Sequence, residues 1–156
     1  MVEKSKPSVE PYKAICMKFG TEQNDQTFAY NVFDDNIQAV RSNCPVDHLW
    51  IPKPVQSKKD IYYLISAKNG EALTQNSDDS LNLEKMRRTK NQRWRFINDG
   101  CNLYQIQNDS TNDYISLLDN DEVTITSEDG AKDVKSMTFV IAVSYTHLTL
   151  PTNREV

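Results

Sequence analysis

Apolar residues in this chain gather in short runs that alternate with polar positions and end in polar turns. The series opens with "YKAICMKF" (12–19), "TFAYNVF" (27–33) and "NIQAV" (36–40), then continues through "DHLWIP" (47–52) and "DIYYLI" (60–65). "LNL" (81–83), "NQRWRF" (91–96), "VTI" (123–125) and "MTFVIA" (137–142) follow. Alternation at period two in runs of this length predicts strands. No segment sustains an apolar period of 3.6. The best helical candidate, "LNLEKMRRTKNQ" (81–92), is short and polar on most sides. Gly70, Gly100 and Gly130 fall in the intervening turns, where a positive φ is cheap for glycine.

The runs repeat. Trp50, Trp94 and Phe139 recur at intervals of 44 and 45, each a large aromatic residue in a strand-like context. Tyr63 and Ile65 match Tyr104 and Ile106 at a spacing of 41, followed in both copies by a polar turn, "AKNGE" or "NDSTND". Leu73 then matches Ile115, and Leu83 matches Ile125. The first copy is blurrier. Each unit amounts to four short strands, with units at about 9–51, 52–96 and 97–142 and a short flexible arm at 1–8. One such unit cannot cover its own apolar face or its own edges, so three together predict a closed, twelve-strand all-β body.

Three repeats of this length, ending in Asn91-Gln92-Arg93-Trp94 or a relic of it, resemble the ricin-B-type β-trefoil lectins. The resemblance covers about residues 9–142 and implies an all-β β-trefoil with pseudo-threefold symmetry. It places Trp50, Trp94 and Phe139 together in the interior, with Gln92 bonded to backbone near its Trp rather than to a ligand. It also implies a non-catalytic, carbohydrate-binding module whose partner is a glycan or glycoprotein. The family's galactose pocket combines an Asp, a stacking aromatic ring, a polar third-strand residue and an Asn before Gln-x-Trp. In the second repeat these positions fall on Thr74, Glu84, Asn82 and Asn91, so the expected contacts are polar and the stacking ring is missing. The third repeat offers Ser116, Thr124, Thr126 and Ser136, and the first Gln38 and Val40. The pocket is therefore degenerate. The alternative is a protein-binding trefoil, a protease inhibitor or scaffold, acting through its loops.

Composition narrows the field further. The chain has 156 residues, a net charge of −4 and a pI near 5.2, enough for one domain and without electrostatic pull towards nucleic acid or membrane. Its apolar runs are too short for a spanning helix. The start, "MVEKSKPSVEP", lacks the apolar stretch of a secretory signal. Cys16, Cys44 and Cys101 are odd in number and widely spaced, so reduced thiols in a cytoplasmic protein are expected. The segment "VSYTHLTLPTNREV" (143–156) resembles translated sequencing adapter and is set aside as a non-native tail; its alternation also fits a strand.

Other constellations are thin. His48 is the one histidine outside that tail, which excludes a multi-His metal site. Its neighbours Cys44 and Asp47 read as a repeat-closing turn rather than a catalytic Cys-His pair. "NSDDS" (76–80) and "LLDNDE" (117–122) read as solvated turns, as does the basic run "KMRRTKNQRWR" (85–95). Tyr30, Tyr62 and Tyr114 are either sugar-facing or half-buried strand residues. No nucleophile-base pair or carboxylate dyad is visible, so no enzyme, cofactor or metal is expected. The sequon Asn108-Asp109-Ser110 carries no weight alone.

Overall fold

The computed structural model describes residues 9–20, 26–100, 102–127 and 133–145, the last three by backbone alone. The expected arm at 1–8, Cys101, Gly130 and the tail beyond Tyr145 lie outside them. The described residues form strands and two single 3₁₀ turns, with no α-helix. The strands are β1 (Ala14–Phe19), β2 (Gln26–Asn31), β3 (Asn36–Arg41), β4 (Trp50–Pro54), β5 (Ile61–Ser66), β6 (Ala72–Gln75) and β7 (Leu81–Glu84). They continue as β8 (Trp94–Asn98), β9 (Leu103–Asn108), β10 (Tyr114–Leu118), β11 (Val123–Thr126), β12 (Val134–Ser136) and β13 (Phe139–Tyr145).

Pairing closes a ring. β1 bonds β4, β4 bonds β5, β5 bonds β8, β8 bonds β9, β9 bonds β13, and β13 returns to β1, all antiparallel. Closure leaves these six strands no free edge. The hairpins β2–β3, β6–β7 and β10–β11 stand on this ring, with short β12 added to β10. Each stretch of the chain thus supplies two ring strands and one hairpin. At the hairpin tips Asp35, Asp79 and Asp121 take φ of 50°, 68° and 69°, a left-handed conformation that Asp tolerates. That accounts for the acidic runs at 76–80 and 117–122 as turns.

The interior is one large cluster containing Phe19, Phe28, Trp50, Leu73, Trp94, Ile115 and Phe139. Trp50, Trp94 and Phe139 are fully enclosed. The Trp50 indole N–H donates to the Phe28 carbonyl at 2.8 Å and that of Trp94 to the Leu73 carbonyl at 3.0 Å. Each ring therefore buries a large apolar area, and its polar edge ties a hairpin to the barrel. Leu73 faces Leu83 and Ile115 faces Ile125 in register, so the spacing of 42 read for the hairpins holds.

Two expectations need correction. The ring-strand match is Tyr62 with Tyr104, not Tyr63 with Tyr104. Tyr62 lies opposite Trp94 and Tyr104 opposite Phe139, which makes the spacing 42 rather than 41. A one-residue slip turns every side chain to the other face. Tyr62 and Leu64 accordingly sit in the main core, while Tyr63 packs with Val55 and Ile61 in a satellite cluster. The second correction concerns the thiols. Cys16 on β1 and Cys44, just before the first 3₁₀ turn (Val46–His48), are joined in a disulfide, with Cα atoms 5.8 Å apart. Their separation of 28 residues hid the pair, because only the closed ring brings the two segments together. Cysteine usage therefore no longer argues for a reducing compartment.

β13 runs on to Tyr145. Val143, Ser144 and Tyr145 pair with Cys16, Ile15 and Ala14, past the boundary drawn at 142.

Candidate functional site

The Gln-x-Trp segment is positioned by a 3₁₀ turn, Lys90–Gln92, closed by bonds from the Gln92 N–H to the Thr89 carbonyl and from the Arg93 N–H to the Lys90 carbonyl. The turn drives Gln92 into the interior. Its amide oxygen accepts from the Arg87 N–H at 2.8 Å; its amide nitrogen donates to the Lys85 carbonyl at 3.0 Å and to the Thr74 hydroxyl at 3.1 Å. Gln92 is fully buried. It braces the loop 85–89 against the β6–β7 hairpin and has nothing left for a ligand.

The four expected contact residues part company. Thr74 is 0% exposed; its hydroxyl accepts from Gln92 and donates to the Ala72 carbonyl at 3.0 Å. It is a support for Gln92 rather than a surface that a ligand reaches. Its counterpart Ser116 is also sealed, donating to the Tyr114 carbonyl and sharing a hydrogen bond with Thr126. The positions mapped to a sugar-binding carboxylate are therefore core hydroxyls in both repeats. Asn82 stands opposite Thr74 on β7, half-buried, with its Oδ1 enclosed and unpartnered. Glu84 is half-buried and ion-paired with Arg87 at 2.6 Å. Asn91 is half-buried; it donates to the Gln75 carbonyl at 3.0 Å and accepts from the Thr89 hydroxyl.

Of the four, Asn91 lines a cleft. About 360 Å³ in volume, the cleft lies between the end of β6, the 3₁₀ turn and the β9–β10 turn. Its walls are Gln75, Asn76, Ser77, Lys90, Asn91, Ser110 and Thr111. Neither Asn82 nor Glu84 reaches it. The Thr111 hydroxyl donates to the Gln75 side-chain oxygen at 3.1 Å, and the Gln75 amide donates to Asp79 at 3.2 Å. Asn108 donates to the Asn91 carbonyl at 3.1 Å and accepts from the Ser110 N–H at 2.9 Å. Asn108 is fully buried, so the sequon nitrogen is out of reach of a glycosyl donor. The cleft is a wall of amides and hydroxyls with one ammonium group and no aromatic ring. Such a surface can exchange hydrogen bonds with the hydroxyls of a polar ligand.

The sequence did not point to Gln75, Ser110 or Thr111. They reach Asn91 from the neighbouring hairpin and from the next repeat, and the one local signal was the polar turn "NDSTND". Tyr62 and Tyr114 are buried and Tyr30 donates to Asp35, so the strand reading of all three holds. The large side chains most open to solvent include Phe33, 95% exposed, at the β2–β3 tip.

His48 occupies in the first repeat the place of Gln92 in the second. Its Nδ1 is enclosed without a partner, and burial pushes its pKa below the ordinary histidine value against an opposing pull from Asp47. Its neighbour Cys44 is held in the disulfide, which removes the Cys-His pair. Among the described residues, no three His, Cys, Asp or Glu side chains gather as a metal site.

No protein-family model matches the sequence, and no curated protein matches it. Solved structures do. The Polyporus squamosus lectin, bound to the epitope Neu5Aca2-6Galb1-4GlcNAc, superposes with a TM-score of 0.69 at 14% identity over 85% of this chain and 49% of its own. The chain thus spans about half the length of that lectin. The designed threefold-symmetric protein ThreeFoil gives 0.65 at 12% identity, over 82% of this chain and 96% of its own. The Haemophilus ducreyi cytolethal distending toxin gives 0.68 at 12% identity, over 94% and 95%. At these identities the likeness is one of fold. Together with the closed ring and its hairpins, it supports a β-trefoil.

Proposed function

We propose that this chain is a non-catalytic, lectin-like carbohydrate-binding module that takes a saccharide at the Asn91 cleft. The observation that carries the reading is the cleft itself, walled by Gln75, Asn76, Asn91, Ser110 and Thr111 on a fold shared with a sugar-bound lectin. The likeness to that lectin supports the class of ligand, while the lining supports the place. Without a ring to cover a pyranose face, binding rests on hydrogen bonds whose strength is set against lost hydration. A dissociation constant of about 1 mM for a monosaccharide, about −4 kcal/mol, is therefore the expected scale. Of the four residues expected to contact sugar, Asn91 lines this cleft, whereas Thr74 is buried beneath Gln92 and Asn82 and Glu84 lie outside it.

Amide chemical-shift mapping with a panel of neutral mono- and disaccharides tests this. Saturable shifts confined to residues 75–77, 90–91 and 110–111, abolished by Thr111→Trp, are expected; Thr111 is exposed, so the variant folds. Absence of saturable shifts there, or shifts that survive Thr111→Trp, would refute the placement.

A further inference from the structure

The basic run at 85–95 does not stand alone in the fold. Arg88, in the loop after β7, and Arg93, just before β8, converge with Lys53 of β4 and Lys58 of the β4–β5 turn. The four line a cleft of about 380 Å³ whose wall also includes Pro54, Val55, Gln56 and Tyr63, with no carboxylate in the lining. Lys53 and Tyr63 are cross-strand partners, so they stand on one face of the β4–β5 ladder. The Arg93 Nε–H donates to the Tyr63 hydroxyl at 3.3 Å, and its Nη2 donates to the Arg88 carbonyl at 3.2 Å. Those two bonds hold the guanidinium in place and leave its other N–H groups to be offered. A phenol oxygen that accepts from Arg93 still has its own proton to donate.

The chain is acidic overall, with 22 Asp and Glu against 18 Lys and Arg. Lys13, Lys68, Arg87, Arg95 and Lys135 each have a carboxylate partner. Among the described residues, none of the four cations of this cleft does. Like charges brought together in one concavity repel, and only an anion turns that repulsion into attraction. A carboxylate would satisfy one or two of the donors. A tetrahedral oxyanion presents three oxygens and up to two negative charges, which suits fixed guanidinium and ammonium groups arriving from different sides.

We propose that the cleft between the β4–β5 turn and residues 88–93 binds a tetrahedral oxyanion, a sulfate or phosphate monoester. The site is separate from the Asn91 cleft and does not depend on saccharide binding there. The two share the segment 88–93, Arg88 and Arg93 facing one cleft and Lys90 and Asn91 the other.

The test is amide chemical-shift titration of the full chain with inorganic sulfate and inorganic phosphate, and then with glucose 6-sulfate and glucose 6-phosphate, at constant ionic strength held with sodium chloride. Saturable shifts at residues 53–58, 63, 88 and 93 are expected with at least one of the four. The double variant Lys58→Gln, Arg88→Gln should weaken them at least tenfold; both side chains are exposed, so the fold survives. Lys68→Gln, at a cation already paired with Asp47, should leave them unchanged. The stronger response within each pair tells sulfate from phosphate, and the esters tell whether a carrier sugar adds contacts. The proposal is overturned if no anion gives a saturable shift, if chloride reproduces the shifts, or if the double variant keeps them. Binding of a DNA duplex in the absence of any response to the four small anions would overturn it as well.

Discussion

Replacing Gln92 by leucine keeps the bulk of the side chain and removes three hydrogen bonds at a fully buried position. The Thr74 hydroxyl retains its bond to the Ala72 carbonyl, so it is not orphaned. The Arg87 N–H and the Lys85 carbonyl lose the partner that Gln92 supplied. A buried polar group left without a partner costs about 1–3 kcal/mol. Lys85 and Arg87 are exposed residues, so water offsets part of the loss. The expected destabilisation is about 3 kcal/mol, which for a domain of this size lowers Tm by about 6–12 °C. Urea unfolding followed by tryptophan fluorescence measures it, with an unchanged m-value showing that the native state keeps its extent. Thr74→Val should cost less, about 1–2 kcal/mol, because it removes one of the three bonds to Gln92 and the hydroxyl's own bond to the Ala72 carbonyl. A loss below about 0.5 kcal/mol for Gln92→Leu would mean that the amide is not a brace. Gln92 would then be free to serve a ligand instead of the fold.

Trp94→Ala empties the space of a fully enclosed ring and should cost about 3–5 kcal/mol by urea titration. Reducing the Cys16–Cys44 bond opens a covalent loop of 28 residues and should lower stability by about 3.6 kcal/mol in the chain-entropy picture; unfolding curves with and without dithiothreitol that coincide would contradict the pairing. His48 has its pKa lowered by burial, so the unfolded chain binds the proton more tightly than the folded one. Its contribution to stability is therefore complete above about pH 6.5 and is lost as pH falls below that value. A pH series of unfolding free energies should show this slope, and His48→Gln should flatten it. Because Nδ1 of His48 has no partner, His48→Gln should also stabilise by about 1 kcal/mol at neutral pH, if the new amide bonds as Gln92 does.

Most of the architecture was legible because it rests on local pattern. Alternating runs mark strands, and Trp50, Trp94 and Phe139 mark the ends of the repeats regardless of what lies around them. The role expected of Gln92 came from the family resemblance and not from the local pattern; in the structure its amide bonds the Arg87 N–H and the Lys85 carbonyl. Register was the weaker reading. Tyr62-Tyr63 offers two adjacent aromatics, and composition cannot tell which faces inward; the pairing of Tyr62 with Trp94 decides it. What depends on long-range closure stayed hidden. Cys16 and Cys44 meet only when β1 joins the ring, and Lys53 and Lys58 meet Arg88 and Arg93 only when β5 brings their two loops side by side. Thr74 was misplaced because what covers it, the Gln92 amide, arrives from 18 residues further along the chain.

The central claim is that the fold serves carbohydrate recognition, and a glycan array tests it most directly. The account predicts binding to at least one class of glycan, lost in Thr111→Trp and retained in Glu84→Gln, whose side chain lies outside the cleft. Silence of the correctly folded chain across simple, complex and sulfated glycans would contradict it.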